Sequence, residues 1–219
     1  MKHTFEADGI QLAFGQRQLL TDIYFKCETG KITGLLGRNG EGKTCLMNIV
    51  YGSRSLPDKS VRFDNVFVKE AFRHPNLLTY LPQFSFIPGF LSLKRVLLDF
   101  ALSYADFAAY FPEFTGMEEE KIQHLSGGQR RLIEVYVIIK AKSQFAMLDE
   151  PFSHIMPLHT DRIKAILLEE KVNKGFLITD HLYQQIIDIC DSLYLLVDGK
   201  LHLTKTLEDL ERLGYVKSL

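Results

Sequence analysis

The chain has 219 residues, with 26 Lys+Arg against 27 Asp+Glu for a net charge of −1, 46% hydrophobic residues and 24% charged ones. That balance excludes a disordered or collagen-like polypeptide and leaves enough apolar side chains for a substantial core. Near-neutral charge argues against a protein whose task is to grip phosphate backbones, and no run approaches the ~18 apolar residues needed to cross a bilayer.

Apolar and polar residues alternate around Ile10–Phe14 and again at Ile23, Phe25 and Cys27, with turn signals at Asp8-Gly9 and Thr29-Gly30-Lys31. This predicts short strands of a small antiparallel sheet. Ile32–Leu36 is a short apolar run that stops at a glycine-rich loop, and Lys43–Val50 resumes with helical spacing at Leu46, Ile49 and Val50. Nine aromatics follow between residues 84 and 114, where Leu93, Val96, Leu97, Phe100 and Tyr104 recur at 3–4-residue intervals and predict at least one amphipathic helix. A second helix is expected from Gly128 to Lys142, then a buried strand at Phe145–Leu148 that ends in Asp149-Glu150. A helix over 158–170, a strand at Phe176–Thr179, a helix over 182–190 and a hairpin turning at Asp198-Gly199 complete the pattern. Strands alternating with helices predict an α/β protein with a mostly parallel sheet.

The N-terminal MKHTFEADG has no apolar segment of the kind a secretion signal needs. Cys27, Cys45 and Cys190 are an odd set with no CxxC spacing, which suggests neither a disulfide framework nor a structural zinc site and fits a reducing cytoplasm.

Gly37-Arg38-Asn39-Gly40-Glu41-Gly42-Lys43-Thr44 matches GxxxxGK[ST] in full, between a strand and a helix. Its glycines let successive backbone N–H groups turn inward on phosphate oxygens, and the following helix adds the positive end of its dipole. Lys43 is expected at the β- and γ-phosphates, and the Thr44 hydroxyl as a hard oxygen ligand for Mg²⁺. Downstream, Phe145-Ala146-Met147-Leu148-Asp149-Glu150 delivers two acids at the C-terminal end of a strand, where ligands sit in open α/β sheets. Adjacent carboxylates point differently, so Asp149 is assigned to Mg²⁺ through water and Glu150 to accepting a proton from the attacking water. Leu125-Ser126-Gly127-Gly128-Gln129 precedes a helix and makes a second anion-binding helix start, with Ser126 as helix cap the simpler alternative.

LSGGQ ahead of a strand ending in DE, behind a GxNGxGKT loop, resembles the ATP-binding cassette family, the ATPase subunits of membrane transporters. The resemblance covers nearly the whole chain. It implies a P-loop NTPase (RecA-like) core with a mostly parallel sheet, a small N-terminal antiparallel β-subdomain and a compact helical subdomain carrying the signature. Residues 1–219 are then one ATPase domain, with 1–83 and 143–219 forming the β-subdomain and core and 84–142 the helical subdomain. It further implies that Gln83, in Tyr80-Leu81-Pro82-Gln83, reaches the Mg²⁺, that His181 contacts the γ-phosphate, and that Phe14 stacks on adenine. Family members work as head-to-tail dimers in which Ser126, Gly127, Gly128 and Gln129 of one subunit close over the ATP held by Lys43 of the other. The implied partners are transmembrane permease subunits and a second cassette, identical or different, at the inner face of the cell membrane, with no direct nucleic acid. Soluble relatives that act on nucleic acid or ribosomes, and a low-turnover nucleotide sensor, are the alternatives. Three positions depart from the family pattern: Met156 replaces the acid of the loop after the glutamate, in Ser153-His154-Ile155-Met156, Glu41 stands where the phosphate loop has a small residue, and Cys45 replaces a common second Thr or Ser at a position read as packing.

Overall fold

Strand β1 (Thr4–Phe14) pairs antiparallel with β2 (Arg17–Glu28), and β4 (Ser60–Phe63) and β5 (Val66–Phe67) extend the sheet in the order β2-β1-β4-β5. These are features of a computed structural model that describes residues 2–56, 58–204 and 207–216. Phe5, Ala7, Ile10 and Leu12 turn one face of β1 into the interior, as the alternation predicts. Asp8-Gly9 is not a turn: β1 runs through it with a register shift between Ala7 and Ile10, and the extra residue is absorbed as a bulge. The chain reverses instead at Gly15-Gln16, where Phe14 pairs with Arg17.

The second sheet has six strands in the order β10-β9-β3-β8-β7-β6. These are β3 (Ile32–Gly37), β6 (Leu78–Leu81), β7 (Phe145–Asp149), β8 (Gly175–Thr179), β9 (Ser192–Val197) and β10 (Lys200–Thr204). All pairings are parallel except β10 on β9, the hairpin expected at Asp198-Gly199. Every residue of β3, β7 and β8 is buried, the continuous apolar run of strands covered on both faces. The helices are α1 (Lys43–Tyr51), α2 (Leu93–Asp99), α3 (Tyr104–Tyr110), α4 (Gly127–Lys140), α5 (Pro157–Glu170), α6 (Tyr183–Ile187) and α7 (Leu207–Arg212).

Alternate residues of the central strands feed two cores. Phe145 and Met147 pack with α1 and the antiparallel sheet, while Ala146 and Leu148 pack with α4 and α5. The segment Leu93–Tyr104, where at least one amphipathic helix is expected, spans α2 and the start of α3. Its chain turns at Ala101, which has φ +56°, and Ser103 Oγ caps α3 by accepting from Asp106 N at 3.3 Å. Of the nine aromatics, Phe107, Phe111 and Phe114 are fully buried around Tyr136, whereas Phe84 and Phe90 are each 70% exposed.

Candidate functional site

Because β3, β7 and β8 are parallel, Gly37, Asp149 and Thr179 end at one edge of the sheet, and the loops leaving them converge there. Gly42 caps α1 at φ +106°, a left-handed backbone that a side chain resists, and a Cβ there would meet the Leu19 side chain at 3.0 Å. The curl leaves the start of α1 facing a cleft of about 470 Å³ lined by Asn39, Gly40, Gly42, Lys43 and Thr44 on one side and by Gln83, Glu150 and His181 on the other. Lys43 is buried and donates through Nζ to Gly37 O at 2.7 Å and Arg38 O at 3.2 Å, so its ammonium holds the loop's own carbonyls. Burial pulls its pKa below the usual lysine range, against the opposing field of Glu150, Asp149, Glu41 and Asp180.

Asp149 is 1% exposed. Its Oδ2 accepts from Tyr80 OH at 3.2 Å, while Oδ1 is buried with no protein partner, and Thr179 Oγ1, paired to it across the strands, is equally unpartnered. Burial raises its pKa, and the Thr44 and Tyr80 hydroxyls act in the opposite direction. A buried carboxylate oxygen without a hydrogen-bond partner, on an acid that the Thr44 hydroxyl also acts on, is a donor set that fits a hard divalent cation. Among the described residues no three His, Cys, Asp or Glu converge as a metal cage, so such a cation would draw its other ligands from phosphate and water.

Glu150 lies at φ +52°, a left-handed backbone rare for a residue with a side chain, fixed by its N–H donating to Thr179 O at 2.7 Å. Its Oε2 accepts from Gln83 Nε2 at 3.0 Å and Ser153 Oγ at 3.2 Å, with His181 Nδ1 3.8 Å away. Gln83, Glu150 and His181, remote in sequence, therefore meet around one oxygen.

The signature residues lie elsewhere. Ser126 caps α4 by accepting from Gln129 N at 3.2 Å, and Gln129 Oε1 accepts from Ser126 N at 2.9 Å, a reciprocal capping box. Gly127 has open space where a Cβ would be, and a Cβ on Gly128 would stand 3.0 Å from His154 O. None of Ser126, Gly127, Gly128 and Gln129 lines the cleft of Lys43 in the same chain. Phe14 also lies outside that lining; its ring is 49% exposed, with the Arg54 guanidinium 4.7 Å above it.

Several residues of the site carry no motif in the sequence. Asp180, wholly buried, accepts from Phe152 N and Leu182 N, both at 2.9 Å, and so fixes the chain on either side of Ser153 and His181; burial raises its pKa. Tyr80 orients Asp149, and Ser153 bridges Glu150 to His181 at 3.4 Å. An acid one residue before His181 is visible in sequence, but its inward aim follows only from the fold.

Residues 20–153 match the family model described as ABC transporter. The chain is 30% identical over 213 residues to the lipopolysaccharide export system ATP-binding protein LptB of Escherichia coli, covering 90% of this chain and 88% of that protein. Among solved structures, it is similar to an ATP-binding subunit of an ABC transporter, with a TM-score of 0.80 at 20% identity over 98% of this chain and 95% of that one. A nucleotide-free ATP-binding cassette from an ABC transporter matches with a TM-score of 0.78 at 20% identity over 98% and 96%. These two likenesses establish the fold.

Proposed function

The chain belongs to the ABC transporter family and is an ATP-binding ATPase subunit, and from that premise we propose that it hydrolyses ATP between its own Lys43 cleft and the signature helix of a second cassette. The observation that carries the reading is the meeting of Gln83, Ser153 and His181 on the carboxylate of Glu150, across the cleft from Lys43. The β- and γ-phosphates of ATP would draw Lys43 Nζ off the carbonyls of Gly37 and Arg38, while the N–H groups at the start of α1, with Gly37, Asn39, Gly40 and Gly42, cradle the anion. Phe14 offers a ring for adenine to stack on.

Thr44 and Asp149 would hold Mg²⁺, with Gln83 in reach; bound there, the ion would neutralise charge on the phosphoryl oxygens. Glu150 takes the proton of the attacking water, and Gln83 and His181 orient that water and the γ-phosphate around it. Glu150 and the phosphates thus need a closure that keeps the attacking water and excludes bulk solvent, which a single chain leaves open. A second copy, or a different cassette, supplies Ser126, Gly127 and Gly128 as the opposite wall.

Residues 84–142 act in this reading as the helical subdomain against the core of 1–83 and 143–219. No helix among the described residues is long and apolar enough to cross a membrane. In this reading the membrane path belongs to permease subunits, beneath which the dimer works at the cytoplasmic face. The test is Ser126→Arg, which places a long side chain at the helix start that meets the partner. Nucleotide binding should persist while ATP-dependent dimerisation and turnover are lost; full turnover would refute the shared site. Copurification with a detergent-solubilised permease tests the partner.

A further inference from the structure

One buried ion pair takes no part in that chemistry. Arg131 and Glu134, one turn apart on α4, are 7% and 2% exposed. Arg131 Nη1 donates to Pro82 O at 2.8 Å, and Nη2 to Asp149 O at 2.7 Å and Glu150 O at 3.1 Å. Nη1 also stands 3.5 Å from Glu134 Oε2. Glu134 in turn accepts from Phe86 N at 3.1 Å and from Ser85 Oγ.

A buried ion pair is a poor device for stability, since desolvating two charges offsets much of their attraction and a well-packed apolar pair serves as well. Desolvation does act here, drawing the Arg131 guanidinium below its usual range while Glu134 opposes it. What an apolar pair would not do is hold carbonyls. The fork of Arg131 fixes the peptides on both sides of the Glu150 Cα, at the residue kept in a left-handed backbone, and it fixes the carbonyl immediately before Gln83. Glu134 fixes the segment just after Gln83. Both side chains sit on the helix that Ser126 starts.

We propose that the Arg131–Glu134 pair is a positioning clamp that ties the signature helix to the Gln83–Glu150 contact, so that the helix which meets the second cassette also sets where the proton-accepting carboxylate stands. The clamp touches no substrate. It rests on the reading of Glu150 as proton acceptor, and it predicts that loss of the fork misplaces Glu150 without emptying the Lys43 cradle.

The experiment compares Arg131→Met with the double variant Arg131→Met/Glu134→Gln, in which no unpaired anion remains buried and the amide oxygen that replaces the carboxylate can still accept from Ser85 and Phe86. Melting temperature, ATP affinity by fluorescent-nucleotide titration and kcat by phosphate release are read for each. Arg131→Met should lower kcat tenfold or more with ATP affinity held within threefold. The double variant should regain melting temperature but not kcat. Recovery of kcat together with melting temperature would show a structural role and overturn the clamp, as would an affinity that falls in step with kcat. A double-mutant cycle separates this from the parent reading. In a Glu150→Gln background, Arg131→Met should cost less than a further twofold in single-turnover rate, whereas a full multiplicative loss refutes the clamp alone. Parental turnover in Glu150→Gln by itself would instead remove the reading on which the clamp rests.

Discussion

Replacing Glu150 with Gln is the sharpest test of the site, because the structure separates what the substitution keeps from what it removes. Gln has the same length and can hold its oxygen where Oε2 now accepts from Gln83 at 3.0 Å and Ser153 at 3.2 Å, and the bond from the residue's N–H to Thr179 O is unaffected. Only the capacity to accept a proton and one negative charge disappear. Loss of a general base costs about 10²–10⁴ in rate, equivalent to roughly 3–5 kcal/mol on the barrier. The lost charge acts the other way on binding. Glu150 is the largest of the acidic influences on Lys43, so its removal relieves repulsion on the incoming phosphates and ATP affinity should hold or tighten. Phosphate release over time and fluorescent-nucleotide titration measure the two halves, and size-exclusion chromatography with ATP should show an accumulated dimer. Turnover within threefold of the parent would refute proton acceptance by Glu150. An affinity weakened more than tenfold would refute its placement outside the phosphate cradle.

Two further outcomes follow from the packing. Met156 occupies the N-cap of α5 with no side-chain cap bond, directly before Pro157 at the first helical position. Met156→Asp should therefore stabilise the protein by about 1 kcal/mol, raising the melting temperature by about 2–4 °C for a domain of this size; an unchanged melting temperature would refute the cap argument. Lys174 is 3% exposed, donates to Ala141 O, and has its pKa lowered to about 8, chiefly by burial, from 10.5. Between those values the unfolded chain binds the proton that the folded chain has released, so this contribution to stability grows as pH rises from 8 to 10. Denaturant titrations should show the parent gaining on Lys174→Met across that interval, and a pH-independent difference would refute it.

The phosphate loop was legible because anion binding dictates its spacing: the glycines that curl the backbone, the lysine and the hydroxyl must fall within eight residues, whatever surrounds them. β3, β7 and β8 were legible as continuous apolar runs, which only strands covered on both faces sustain. Asp8-Gly9 misled because a bulge and a turn ask for the same residues, and only pairing with β2 decides between them. The apolar spacing over Leu93–Tyr104 showed helix but not the break within it, which a serine cap and the left-handed Ala101 impose. β6 went unseen, since four residues carry too little alternation. Arg131 and Glu134 fall in no motif, and nothing in the sequence says that they face the ends of β6 and β7.

The electrostatics of the cleft explain why its parts need one another. Asp149, Glu150, Asp180 and Glu41 all act on Lys43, and burial raises the pKa of Asp149 and Asp180 because their charge is poorly tolerated there. A triphosphate adds negative charge to the same face, so contacts with Lys43 alone would leave it repelled. The dipole at the start of α1 adds counter-charge within the chain, and the unpartnered Asp149 Oδ1 marks where a cation would add more. In the structure Lys43 Nζ donates to the carbonyls of its own loop, which holds the ammonium inside a buried, curled cradle. In the proposed reaction, nucleotide, a cation and a second signature helix would offset these charges and shield the cleft from bulk solvent. Binding and the proposed chemistry at this edge of the sheet would then depend on the same few charges.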